Sequence, residues 1–318
     1  MRGLKRILQG VLLLAVLAAC GRGKTGESAP APAALPTRVF PRVQPPQMHP
    51  DGPVIYTVDH FWDAYFADLG KFRTDSLYLG GVEKIQLEEA YGLFATLLWN
   101  VPPETARAST GRLYDQLAAA KNPAVTDALV ELTSRYLYDP NSPVRNEELY
   151  LPYVSGLARC ELLSPTERQR YAWEAEMCAL NRPGTPAADF VFIDSFGHRR
   201  TLYDIKADLT LLIFGNPDCH ACAEIQEVFS ANEALSAAIS SGQLKVVDIY
   251  IDEDVDVWKQ KIPTYPSNWI NGYDPAFIIR TDLIYNVRAL PSLYLLDANK
   301  TVLLKDCTSE NLFAALGL

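Results

Sequence analysis

The chain has 318 residues, 48% apolar and 21% charged, enough to bury a core and to fill about two domains of ~150 residues each. A formal net charge of −9 excludes the basic face that nucleic acid or an anionic membrane surface recruits. No stretch looks like a basic recognition helix, so no nucleic-acid partner is expected.

Residues 1–19 begin with Arg2, Lys5 and Arg6 and continue into the apolar run "ILQGVLLLAVLAA". That run is shorter than the ~20 residues a membrane-spanning helix needs. A basic start, a short apolar run and a small-residue end describe a secretory signal. The ending "LAAC" at Leu17–Cys20 resembles the lipobox of bacterial lipoproteins. The resemblance implies cleavage before Cys20 and lipidation of its sulfur, so that acyl chains anchor the chain to a membrane. An ordinary soluble secretory signal is the alternative. Cleavage removes three basic groups and no acid, taking the formal charge from −9 to −12.

Residues 20–53 carry eight prolines and few apolar side chains, and they read as a stiffened tether rather than a packed element. A flexible chain of that length reaches roughly 35 Å. The segment "CGRGKTGE" is basic first, whereas surface-exported lipoproteins of the Bacteroidota type often carry acids there. The body is therefore expected to face the periplasm.

Residues 54–183 read as a helical domain. "VDHFWDAYFADLG" places Phe61, Trp62, Tyr65, Phe66 and Leu69 on a helical stripe, and a second stripe holds Ile85, Tyr91, Phe94, Leu97 and Leu98. Leu129, Leu132 and Tyr136 mark a third helix, which "DPNSP" stops. Ser164, Pro165 and Glu167 form a capping-box start, and Pro183–Gly184 follows the end of that helix. Aromatic stripes of this kind are what helical bundles bury.

From residue 184 to 318 the period changes. "ADFVFIDSFGHRRTLYDI" predicts two short strands with a turn at Ser195–Gly197. "LTLLIFGN" (Leu209–Asn216) and "LKVVDIYID" (Leu244–Asp252) are continuous apolar runs, as in strands buried on both faces. A helix follows the first run, and "VDVWKQKI" predicts a short one. "SLYLLD" and "TVLLKD" predict a hairpin, and "SENLFAALGL" a closing helix. The predicted class is α + α/β, a helical domain followed by a mixed sheet covered on both faces.

The strand–"NPDCHAC"–helix order places Cys219 at a helix N-terminus, where free N–H groups and the helix dipole favour a thiolate. Cys222 lies one turn on, close enough to close a disulfide. Cys219 is expected to attack and Cys222 to resolve, with no organic cofactor beyond that redox-active pair.

With "GTPAADFVFID" (Gly184–Asp194), "CHAC" and "ALPSLYLLD" (Ala289–Asp297) at their spacing, residues 186–318 resemble the thioredoxin superfamily. The likeness is to its membrane-tethered, TlpA-like periplasmic branch. It implies a thioredoxin-like α/β fold and a cis Leu290–Pro291 bond that orders a substrate backbone beside the cysteines. "YLYDPNSPVRNEELYLPYV" resembles the helical domain of unknown function that precedes such domains in Bacteroidota lipoproteins. The implied activity is thiol–disulfide exchange with cysteines or disulfides of exported proteins, with an inner-membrane thiol relay protein as the electron supplier.

Three positions depart from the pattern. Asp218 replaces the usual Trp before the first cysteine and is expected either to raise the thiol pKa or to cap the helix. His220 pushes the other way when protonated, or is simply solvated. Ile213, six residues before Cys219, stands where many thioredoxins bury an acid that aids proton transfer. "NGYDP" (Asn271–Pro275) reads as a loop near the redox site, with Trp269 either a partner surface or core. Cys160 and Cys178 are either a staple between helices or free buried thiols, and Cys307 is a buried small residue.

Other readings are weighed against this one. A single CxxC is half of a four-ligand zinc site, although two thiolates suffice for copper(I). A peroxiredoxin-like peroxidase would carry Thr where Asn216 stands. A non-catalytic adaptor acting through its helical domain is the last alternative.

Overall fold

The computed structural model describes residues 34–48 and 50–318. The predicted signal segment, Cys20 and the first part of the tether lie outside the described residues. No helix among the described residues is long and apolar enough to cross a membrane.

The helical part contains α1 (Gly52–Asp59), α2 (Asp63–Phe66), α3 (Lys84–Leu97), α4 (Pro103–Ala120), α5 (Pro123–Thr133), α6 (Glu147–Leu157) and α7 (Pro165–Cys178). A two-stranded ribbon, β1 (Tyr78–Leu79) and β2 (Val82–Glu83), precedes α3. The helix predicted over 58–70 is broken into α1, α2 and one 3-10 turn at Leu69–Lys71. Neighbouring residues on one helix diverge by about 100°; the break lets Phe61 and Trp62 both bury against Phe94. On α3 the inner face is Leu87, Ala90, Tyr91 and Phe94, whereas Ile85, predicted inside, is 62% exposed. The capping box of α7 forms as predicted: Ser164 Oγ accepts from the Glu167 N–H at 3.3 Å and Glu167 accepts from the Ser164 N–H at 2.8 Å.

The tether ends earlier than its composition predicts. The Arg38 guanidinium donates to the carbonyls of Gly80, Ala64 and Tyr65 and stacks 3.9 Å over Phe72. Phe40 inserts its ring among Phe61, Trp62 and Tyr65. Two residues with real contact surface therefore dock a segment whose prolines predict a free chain.

The α/β part is one seven-stranded sheet in the order β4-β3-β7-β6-β5-β8-β9. Its strands are β3 (Val191–Asp194), β4 (Arg199–Thr201), β5 (Leu209–Gly215), β6 (Leu244–Tyr250), β7 (Ile270–Tyr273), β8 (Ser292–Asp297) and β9 (Val302–Leu304). β5, β6 and β7 run parallel, and the outer pairings are antiparallel. The helices are α8 (His220–Ala231), α9 (Glu233–Ser241), α10 (Val255–Lys261), α11 (Ile278–Thr281) and α12 (Ser309–Leu316). Alternation sorts β5 cleanly: Leu211 and Ile213 face α8, α9 and α12, while Leu212 and Phe214 pack with Tyr285 and Tyr294 on the other face.

One element was misread from sequence. "NGYDP" is not a loop; Ile270–Tyr273 is β7, inserted between β6 and β3. Only four residues long, with Asn271 and Gly272 at its centre, it carries little strand pattern; Gly272 is needed because Phe192 and the Ile193 carbonyl press where a Cβ would sit. Trp269 is 7% exposed and packs on Phe229, so it is core.

The two parts do not separate into independent bodies; residues 35–318 form one compact unit. The chain enters the sheet through Gly184, whose N–H donates to the Val302 carbonyl at 2.8 Å, and Ala187, whose N–H donates to Lys300 at 2.9 Å.

Candidate active site

β5 ends at Gly215, and the turn that follows places Cys219 at the N-cap of α8. The Cys219 N–H donates to the Asn216 carbonyl at 3.1 Å, closing the turn. Cys219 Sγ takes the capping role itself, accepting the Cys222 N–H at 3.2 Å. A sulfur in that position sits at the N-terminal end of the helix, beside its first-turn N–H groups. Cys219 is half-buried and reachable, whereas Cys222 is 5% exposed. Burial, reinforced by the hydrogen bond with Cys219, pushes the Cys222 thiol well above the ordinary range. Both cysteines are free thiols.

Leu290–Pro291 is a cis peptide bond, as the resemblance implied. Its segment packs against the cysteines, with the Leu290 carbonyl 3.5 Å from Cys219 Sγ. The fold thus brings together four of the residues singled out from sequence: Cys219, Cys222, Leu290 and Pro291.

The two candidate tuning residues lie outside this group. Asp218 does not cap α8; its N–H donates to Asn216 Oδ1, and its 65%-exposed carboxylate stands 3.9 Å from Lys261. His220 is solvated on the first turn of α8, 3.4 Å from Glu224. Cys160 and Cys178 are buried free thiols rather than a staple, and Cys307 is buried as expected.

Sequence reasoning missed an acid. Asp248 on β6 is paired in register with Ile213, the position where an acid was sought. Its side chain is 4% exposed on the α8 side of the sheet, where a Cβ on Gly215 would stand 2.9 Å from Asp248 Oδ1. Gln226 of α8 reaches its other oxygen at 3.5 Å. Burial with so little compensation raises the carboxyl to about 7, and its field helps raise Cys222. Tyr265 stands beside Asp248, Gln226 and both cysteines. The signal was one Asp inside the apolar run "LKVVDIY", opposite a strand ending in Gly. Among the described residues no group of three or more His, Cys, Asp or Glu is arranged to hold a metal ion.

A strand, a helix-capping cysteine with its partner one turn on, and a cis-proline segment across from them define a thioredoxin-like site. A thioredoxin-like protein from Bacteroides caccae is 34% identical, with a TM-score of 0.79, over 88% of this chain and 98% of that one. The C-terminal domain of an uncharacterized protein from Bacteroides fragilis is 43% identical over 43% of this chain and 99% of its own, with a TM-score of 0.42. The thioredoxin domain of a thiol-disulfide oxidoreductase from Bacteroides vulgatus is 20% identical over 43% of this chain and 96% of its own, with a TM-score of 0.38. Residues 28–181 match the family described as a domain of unknown function, DUF5106, which starts within the predicted tether. No curated protein matches the chain. The chain belongs to the thioredoxin-like proteins of Bacteroidota type, with a helical N-terminal domain ahead of the thioredoxin-like sheet.

Proposed function

We propose that this chain is a thiol–disulfide oxidoreductase acting on cysteines of exported proteins. The observation that carries the reading is the half-buried Cys219 sulfur at the head of α8, 3.2 Å from the Cys222 N–H and 3.5 Å from the Leu290 carbonyl. The Cys219 thiolate attacks one sulfur of a partner disulfide and expels the other as a thiolate. Cys222 then attacks Cys219 in the mixed disulfide, forming the 219–222 disulfide and releasing the partner's second thiolate. Two electrons pass to the partner, and the reverse sequence oxidises a partner dithiol.

Cys222 must lose its proton in a dry setting. Asp248 is the group placed to take it, being buried on the same side of the sheet with its carboxyl near neutrality. Its proton then leaves to water. Leu290 and Pro291 align the partner's backbone alongside Cys219. An exported, lipid-anchored location through Cys20, a periplasm-facing body and an inner-membrane thiol relay as electron supplier complete the proposal. A peroxidase is disfavoured because the Asn216 side chain is held by Asp252 and by the Asp218 N–H.

The test is reduction of insulin disulfides by the full chain. Cys219→Ser is expected to abolish it, and Cys222→Ser to accumulate mixed disulfides. An inert wild-type protein, or a Cys222→Ser variant that captures no partner, would overturn the reading.

A further inference from the structure

The segment 284–291 carries the proposed partner-binding carbonyl, yet it holds itself together poorly. Among the described residues its only internal backbone hydrogen bond runs from the Val287 N–H to the Tyr285 carbonyl. Its position is set by side chains: Tyr285 donates to the Ala188 carbonyl at 2.6 Å and packs on the sheet with Ile284, Val287 and Leu290, while Asn286 and Arg288 reach into the helical domain. Arg288 is the centre. Its guanidinium meets Glu147 Oε1 at 2.9 Å and Asp306 Oδ2 at 2.6 Å and lies 4.3 Å over the Tyr138 ring. Asn286 donates to the same Glu147 oxygen at 2.9 Å, and Asn181 donates to the Ile284 carbonyl at 2.7 Å.

Glu147 is the carboxylate of the helical domain that pairs directly with Arg288. It sits in the first turn of α6, and its second oxygen lies 2.7 Å from Lys305 Nζ. Glu147 Oε2 and Arg288 Nε are held as close ion pairs, off the axis of an ideal hydrogen bond. Lys305 also donates to the Cys178 carbonyl at the end of α7. Asp306, held by Arg288, accepts from Ser292 Oγ at 2.8 Å, just past the cis-proline. A cluster this dry is costly to assemble, and removing one member leaves the others unpaired.

We propose that the helical domain serves as a brace for the partner-binding loop, with Glu147 acting through Arg288 as the positioning residue that keeps the Leu290 carbonyl against Cys219. The proposal rests on the exchange reading above. It assigns the helical domain a task inside the redox cycle.

The test compares Glu147→Gln, Arg288→Met and the double variant in the full chain. Insulin, a polypeptide disulfide, needs the loop; iodoacetamide needs only the Cys219 sulfur. Each single variant is expected to raise KM for insulin about tenfold, the scale of losing one charge-assisted hydrogen bond. Alkylation of Cys219 should stay within about twofold, and the double variant should be no worse than either single one. Hydrogen exchange should quicken at 284–291. If Glu147→Gln fails to fold, Arg288→Met carries the same comparison. An unchanged KM, an equal loss in both reactions, or additive effects would overturn the brace. A wild-type chain inert towards insulin sinks the exchange reading instead, and hydrogen exchange then still reports on the brace.

Discussion

Replacing Asp248 by Asn removes a buried carboxyl near the cysteines while nearly keeping its shape. In the folded chain burial raises that carboxyl to about 7. An unfolded aspartate titrates near ~3.9, so the difference is worth about 4 kcal/mol at ~1.36 kcal/mol per pKa unit. The fold holds this proton more tightly than the unfolded chain does. Asp248 therefore costs nothing below pH ~4, and its penalty grows as pH rises until the carboxyl is ionised above about 7. Denaturant unfolding at several pH values is the assay. The stability of Asp248→Asn minus that of wild type should climb by about 4 kcal/mol from pH ~4 to pH ~8. In the same variant no carboxylate can accept the Cys222 proton, and resolution of a mixed disulfide should slow by ~10²-fold or more. A stability difference that stays flat with pH would refute the burial argument. A mixed disulfide that resolves at the wild-type rate would refute the proton-acceptor role.

Two further outcomes are expected. Asp218→Ala should change iodoacetamide alkylation of Cys219 by less than about twofold, because its exposed carboxylate faces Lys261 and solvent and such surface pairs are worth ~1 kcal/mol or less; a larger change would place it in the site. Phe40→Ala should destabilise the chain by about 2–3 kcal/mol in thermal or denaturant unfolding, because the ring fills a niche among Phe61, Trp62 and Tyr65; an unaltered midpoint would mean that the segment is a free tether.

The residues that act through their chain neighbours were readable in one dimension. Cys219 and Cys222 are one helical turn apart behind an apolar strand, and the capping box at Ser164 closes over three residues. The α + α/β division follows from the change of period near residue 184, and the resemblance of "ALPSLYLLD" to the thioredoxin cis-proline segment implied the cis bond. Where the reading failed, two neighbouring residues both had to face inward, as at Phe61 and Trp62, or a strand carried too little pattern, as at Ile270–Tyr273.

The order of strand, paired thiols and helix is written in local spacing, because periodicity, capping and helix polarity act within a turn or two. Asp248 under Cys222 and Glu147 against Arg288 and Asn286 are written nowhere locally. The first pairing depends on the register of two parallel strands, and the second joins residues 139 positions apart from Glu147 to Asn286. A carboxylate in a sequence looks solvated until packing removes the water around it, and only the assembled sheet and helices do that.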